Sequence, residues 1–124
     1  MKKLIFLLLA VMMLTACGQD IETVYVNITA EEAKQIMDTE EGYIILDART
    51  QEEYDEGHIP GAIVIFHEEI TEKAEEVLTD KDQLILVYCR SGRRSKIAAE
   101  ALVELGYTNI KEFGGIIDWP YEVE

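Results

Sequence analysis

The chain has 124 residues, 48% of them hydrophobic, enough for one globular domain with its own core. Its formal net charge is −14 and its pI about 4.4. Such acidity excludes a nucleic-acid binder, which needs a basic footprint, and excludes electrostatic adsorption to anionic lipid.

The opening, "MKKLIFLLLAVMMLTAC", carries Lys2 and Lys3 and then an unbroken apolar run from Leu4 to Leu14. Eleven helical residues reach roughly 17 Å, short of the ~30 Å hydrocarbon core, so the segment reads as a signal peptide and not as a membrane span. Leu14-Thr15-Ala16-Cys17 resembles the lipobox of bacterial lipoproteins. That resemblance implies cleavage before Cys17 and acylation of its thiol, leaving a protein tethered by lipid outside the cytoplasmic membrane. The expected organisation is a signal peptide over 1–16, a lipidated cysteine and tether over 17–23, and one domain over 24–124. With Cys17 acylated, Cys89 has no disulfide partner in the chain. A free thiol in an exported protein points to chemistry.

Beyond the tether, strand-like and helix-like segments alternate. Residues 24–28 form a short β-branched run. Thr29 and Glu32 have the spacing of a capping box, with Ala33, Ile36 and Met37 on one helical face. "YIILDA" (43–48) is a strand, and "TQEEYDEGH" a short helix ending at Gly57. "AIVIF" (62–66) is a strand. Ile70, Ala74, Val77 and Leu78 then recur at helical spacing. "QLILVYC" (83–89) is the most apolar strand. Ile97, Ala98, Ala101, Leu102 and Leu105 line a helix that Gly106 can end. "NIKEF" is a last strand. Strands apolar on both faces, interleaved with helices, predict an α/β fold with a mostly parallel sheet covered on both sides.

In such sheets ligands bind at the carboxyl ends of the strands. Asp47-Ala48-Arg49 and the loop Cys89-Arg90-Ser91-Gly92-Arg93-Arg94 fall there. Gly92 allows a positive φ, so successive N–H groups can form an anion-binding nest. Ser95 is expected to open the next helix, with its dipole aimed at the same spot. Amides, dipole and arginines together favour the thiolate of Cys89 without a general base.

"CRSGRRS" resembles the active-site loop of rhodanese-type sulfurtransferases, in which a cysteine opens a six-residue loop before a helix. "ILDART" with "EEYDEGHIPGAIVI" resembles the family's strand–turn–strand signature, and "FGGIIDW" its closing Gly-Gly…Trp segment. The likeness spans residues 24–119. It implies the rhodanese-like three-layer fold. It also implies a Cys89 persulfide that takes sulfur from a small anionic donor such as thiosulfate and yields it to a thiol or cyanide acceptor, with no cofactor. Arg90, Arg93 and Arg94 attract the donor. Other readings are a non-catalytic persulfide carrier or thiol sensor serving a protein acceptor, and a phosphatase or arsenate reductase of the same fold. The phosphatase-type loop has one residue more, placing its arginine sixth after the cysteine; here Ser95 stands there, and Arg94 is fifth.

Asp47 and Arg49 match the family's Asp-x-Arg, although a structural salt bridge, of Arg49 with Glu52 or Glu53, is the preferred account of them. His58 is expected to serve a turn, and Trp119 to wall the core or a pocket. Two histidines without clustered cysteines compose no zinc site.

Overall fold

The computed structural model describes residues 24–124. Residues 1–23, where the signal peptide, lipidated Cys17 and tether are expected, lie outside the described residues. Five parallel strands form one sheet in the order β1-β5-β4-β2-β3. The strands are β1 (Val26–Asn27), β2 (Ile44–Asp47), β3 (Ile63–Val64), β4 (Ile85–Cys89) and β5 (Ile110–Gly115). The helices are α1 (Ala30–Thr39), α2 (Gln51–Glu56), α3 (Ile70–Val77) and α4 (Arg93–Glu104), with 3-10 turns at His67–Glu69 and Ile116–Asp118.

The central strand β4 is buried throughout, and its period of two divides it between two cores. Ile85, Val87 and Cys89 face Ile70, Ala74 and Leu78 at α3 and Ala98, Ala99 and Leu102 of α4. Leu86 and Tyr88 face the other way, among Ala33 and Ile36 of α1, Phe113 and Trp119. Burial of both faces is why the strand reads as a continuous apolar run.

The helix starts follow from local chemistry. Thr29 caps α1 in a reciprocal box with Glu32, and Thr50 caps α2 in the same way with Glu53. Two apolar faces differ from the sequence expectation. Val77 and Ile97 are exposed, while Ala99 is buried. On α4, Ser95, Ala98, Ala99 and Leu102 turn inward, and Ala101 and Leu105 pack partly buried against the same core.

The last residues dock instead of trailing. Glu124 and His58 exchange backbone hydrogen bonds at 2.8 and 2.9 Å, and the Trp119 indole N–H donates to the Glu122 carbonyl at 3.2 Å.

Candidate active site

Cys89 is the last residue of β4, and its side chain is fully buried on the α4 side of the sheet. Three residues separate strand from helix. Gly92 ends the loop with φ +108°, a left-handed conformation that glycine adopts without penalty. This turn brings the Gly92 N–H back to the thiol, donating to Cys89 Sγ at 3.0 Å. α4 begins at the next residue, so the sulfur lies before a helix N-terminus whose first N–H groups lack intrahelical acceptors. Negative charge on that sulfur is met by a donor and by the dipole.

Ser95 does not open the helix. It is the third residue of α4, fully buried, with its hydroxyl turned back toward the loop. Its Oγ lies 3.4 Å from Cys89 Sγ, 3.2 Å from the Gly92 carbonyl and 2.5 Å from Glu112 Oε2. Glu112, on β5, is 2% exposed. Nothing in the sequence alone marks it as part of the site, beyond a carboxylate at the strand position that shares a face with Ile110.

The loop is braced from below. Pairing of β4 with β5 shifts register between Val87 and Cys89, so that Cys89 stands opposite Gly115. Gly114 takes φ +91° in this irregularity. Gly115 then runs directly against the loop: a Cβ built on it would lie 2.0 Å from the Arg90 carbonyl oxygen and 2.6 Å from Ser91 Cα. The Ile117 N–H donates to the same Arg90 carbonyl at 3.2 Å. The Gly-Gly pair is therefore spatially part of the site, because only a residue without a side chain fits beneath the loop.

The profile of the rhodanese-like domain matches residues 29–120. The chain belongs to the rhodanese-like domain family. It is 40% identical over 73 residues to the thiosulfate sulfurtransferase PspE of Escherichia coli, covering 59% of this chain and 70% of that protein. It is 38% identical over 99 residues to the putative sulfur carrier protein YrkF of Bacillus subtilis, covering 79% of this chain and about half (52%) of that protein. Among solved structures, a rhodanese with anions from E. coli superposes with a TM-score of 0.62 at 35% identity, covering 66% of this chain and 96% of that one. A rhodanese-related protein from Thermoplasma volcanium gives a TM-score of 0.69 at 31% identity, over 81% and 98% of the two chains.

Within this rhodanese-like domain the three loop arginines have different surroundings. Arg90 and Arg93 are exposed and make no ion pair among the described residues. Arg94 is committed: its Nη1 and Nη2 donate to the two carboxylate oxygens of Glu53 at 2.8 and 2.9 Å. Glu53 also accepts from the Thr50 N–H and hydroxyl, so one carboxylate caps α2 and ties it to the first turn of α4. The Arg94 guanidinium, with the Thr50 donors, holds the Glu53 carboxyl at about 2, against an ordinary 4.5. A depressed carboxyl stabilises the fold fully above 4.5, and this contribution is lost as pH falls from 4.5 toward 2. Chemical denaturation across that window is expected to show a steeper loss of stability in wild type than in Glu53→Gln.

Asp47 and Arg49 pair with each other, in place of the expected Arg49 bridge to Glu52 or Glu53. Arg49 Nε and Nη2 donate to Asp47 at 2.9 and 2.7 Å, and Nη2 also donates to the Gly57 carbonyl. Asp47 accepts from the Tyr88 hydroxyl at 2.7 Å, which in turn accepts from the Ile59 N–H at 3.1 Å. Burial and the Asp47 carboxylate push the Tyr88 hydroxyl far up, so it remains a donor. Tyr88 faces away from Cys89, and this network anchors the turn after β2 without touching the thiol. His58 serves its turn: Nδ1 lies 2.9 Å from the Tyr54 carbonyl and the two rings stack at 3.8 Å. Trp119 walls a pocket of about 210 Å³ with Met37, Tyr43 and Tyr121, which contains no residue of the cysteine loop.

Proposed function

We propose that this rhodanese-like domain is a sulfurtransferase working through a Cys89 persulfide. The observation that carries the reading is the fully buried Sγ of Cys89 accepting the Gly92 N–H at 3.0 Å directly before α4. The thiolate attacks the outer sulfur of thiosulfate; the S–S bond breaks and sulfite leaves with its electron pair. The persulfide anion then loses its terminal sulfur to cyanide or a thiolate, which regenerates the Cys89 thiolate. Loop amides and the dipole of α4 favour the anionic sulfur in every state. Arg90 and Arg93 supply the exposed positive charge that draws an anionic donor to an acidic protein, while Arg94 holds the loop's far end through Glu53. The named similarity to PspE supports thiosulfate as donor.

The similarity to a putative sulfur carrier protein favours one second reading, a carrier that passes its sulfur to a protein acceptor. Incubation with excess thiosulfate and cyanide separates the two. A sulfurtransferase makes many equivalents of thiocyanate per Cys89, and a carrier stops near one.

The lipobox-like Leu14-Thr15-Ala16-Cys17 supports lipid anchoring outside the cytoplasmic membrane of a bacterial envelope, with Cys17 as the acylated residue. No helix among the described residues is long and apolar enough to cross a membrane. Cys17→Ala is expected to accumulate as uncleaved precursor, checked by mass and by detergent phase partitioning. Release of a soluble form cut at the same place contradicts the anchor.

A further inference from the structure

Glu112 contacts the catalytic loop, and the sulfur chemistry makes no use of it. The residue is 2% exposed, and its carboxylate meets Ser95 of α4. A carboxylate there is tolerable only if its oxygens are met by donors. Oε2 accepts from the Gly114 N–H at 2.9 Å and from the Ser95 hydroxyl at 2.5 Å, and Lys96 Nζ lies 4.0 Å from Oε1. The same Ser95 oxygen is 3.4 Å from Cys89 Sγ.

A serine hydroxyl has one proton. In one direction Ser95 gives it to the Glu112 carboxylate and accepts from the sulfur, with Cys89 as S–H. In the other Cys89 is a thiolate or a persulfide with nothing to donate, the Ser95 proton turns to the sulfur beside the Gly92 N–H, and Glu112 is itself the donor to Ser95. The chain Cys89–Ser95–Glu112 thus has two self-consistent directions, related by moving two protons.

We propose that Glu112 is a positioning residue that stores the thiol proton of Cys89. The Cys89 proton passes to Ser95 Oγ as the Ser95 proton passes to Glu112 Oε2. Thiol and carboxylate become thiolate and neutral acid, the hydroxyl is intact, and no electrons change hands. The buried site then carries one negative charge instead of two while a dianionic donor approaches. The proton stays on Glu112 through both half-reactions, because thiolate is regenerated at the end. The charged and titratable groups facing this pair are Lys96 and Arg94 of α4 and, beside Glu112, Tyr25 with Glu100 beyond it. The use made of the stored proton rests on the sulfurtransferase reading; the proton shift itself does not.

The test is the pH dependence of thiolate ultraviolet absorbance in the full chain, with Cys89→Ser as the blank. It needs no sulfur donor, so it stands apart from failure of the sulfurtransferase reading. Two groups sharing one proton titrate as a pair, and which of them keeps the remaining proton decides what each step shows. With that proton stored on Glu112, wild type is expected to gain its thiolate absorbance in a single rise and to keep, above that rise, a protonated-carboxyl infrared band that Glu112→Gln lacks. The band is expected to vanish only at higher pH, with no further gain of thiolate. A wild-type carboxyl band that is lost below the pH at which the thiolate appears overturns the proposal. Should Glu112→Gln fail to fold, wild type decides alone: a carboxyl band persisting above the thiolate rise sustains it, and one lost below that rise overturns it.

Discussion

Cys89→Ser is expected to abolish thiocyanate formation from thiosulfate and cyanide while leaving the fold in place. The expected loss is essentially complete, because a serine hydroxyl cannot form the persulfide on which the transfer depends. The retained fold follows from the partners available at that position. Oγ of a serine at 89 meets the Gly92 N–H and the Ser95 hydroxyl, so the new polar group is satisfied although fully buried. Thermal unfolding should shift by only a few degrees, as ~1 kcal/mol does in a domain of this size. Residual turnover above the background rate by the variant contradicts Cys89 as the sulfur acceptor.

Gly115→Ala is expected to cost at least ~100-fold in the same assay, although residue 115 has no chemistry of its own. Its Cβ would stand 2.0 Å from the Arg90 carbonyl oxygen and 2.5 Å from its carbon, and both are backbone atoms that no rotamer change can move aside. Either β5 backs away from β4 or the loop lifts. Overpacking of this kind costs about 1–3 kcal/mol of stability. The larger effect is on rate, since displacing a reacting group by about 1 Å can reduce it ~100-fold. Gly57→Ala is the control. Gly57 has nothing within 4 Å of its would-be Cβ, and its φ of 161° is extended backbone. Steady-state thiocyanate formation and thermal melts on the three proteins check this. A Gly115→Ala protein with wild-type turnover contradicts the close approach of β5 to the loop.

What the sequence made legible is what local chemistry decides. The reciprocal cap of Thr29 and Glu32, the apolar run of β4 and the glycine at the left-handed position 92 each rest on residues a few places apart. Cys89, the proposed sulfur acceptor, stands out because a single thiol precedes a glycine and arginines. What stayed hidden is set by contacts across the sheet. Nothing in "NIKEFGG" says that Glu112 reaches Ser95, seventeen residues away, or that Gly115 lies under Arg90. Arg94 looked like a substrate ligand because its partner Glu53 is forty-one residues distant, on another helix. Sequence proximity offers Arg49 the acids of α2, but the end of β2 places Asp47 beside it. On α4 the apolar spacing marks the inward face at Ala98, Ala101, Leu102 and Leu105, and only Ile97 turns out to solvent.

The central claim is that Cys89 itself takes up sulfur, and intact mass tests it most directly. The reduced protein is incubated with thiosulfate, freed of excess donor and weighed, then weighed again after cyanide. The account predicts a gain of one sulfur atom, located on Cys89 by peptide mapping and absent in Cys89→Ser, that cyanide removes as thiocyanate. An unchanged mass after thiosulfate, with Cys89 still a free thiol, contradicts it.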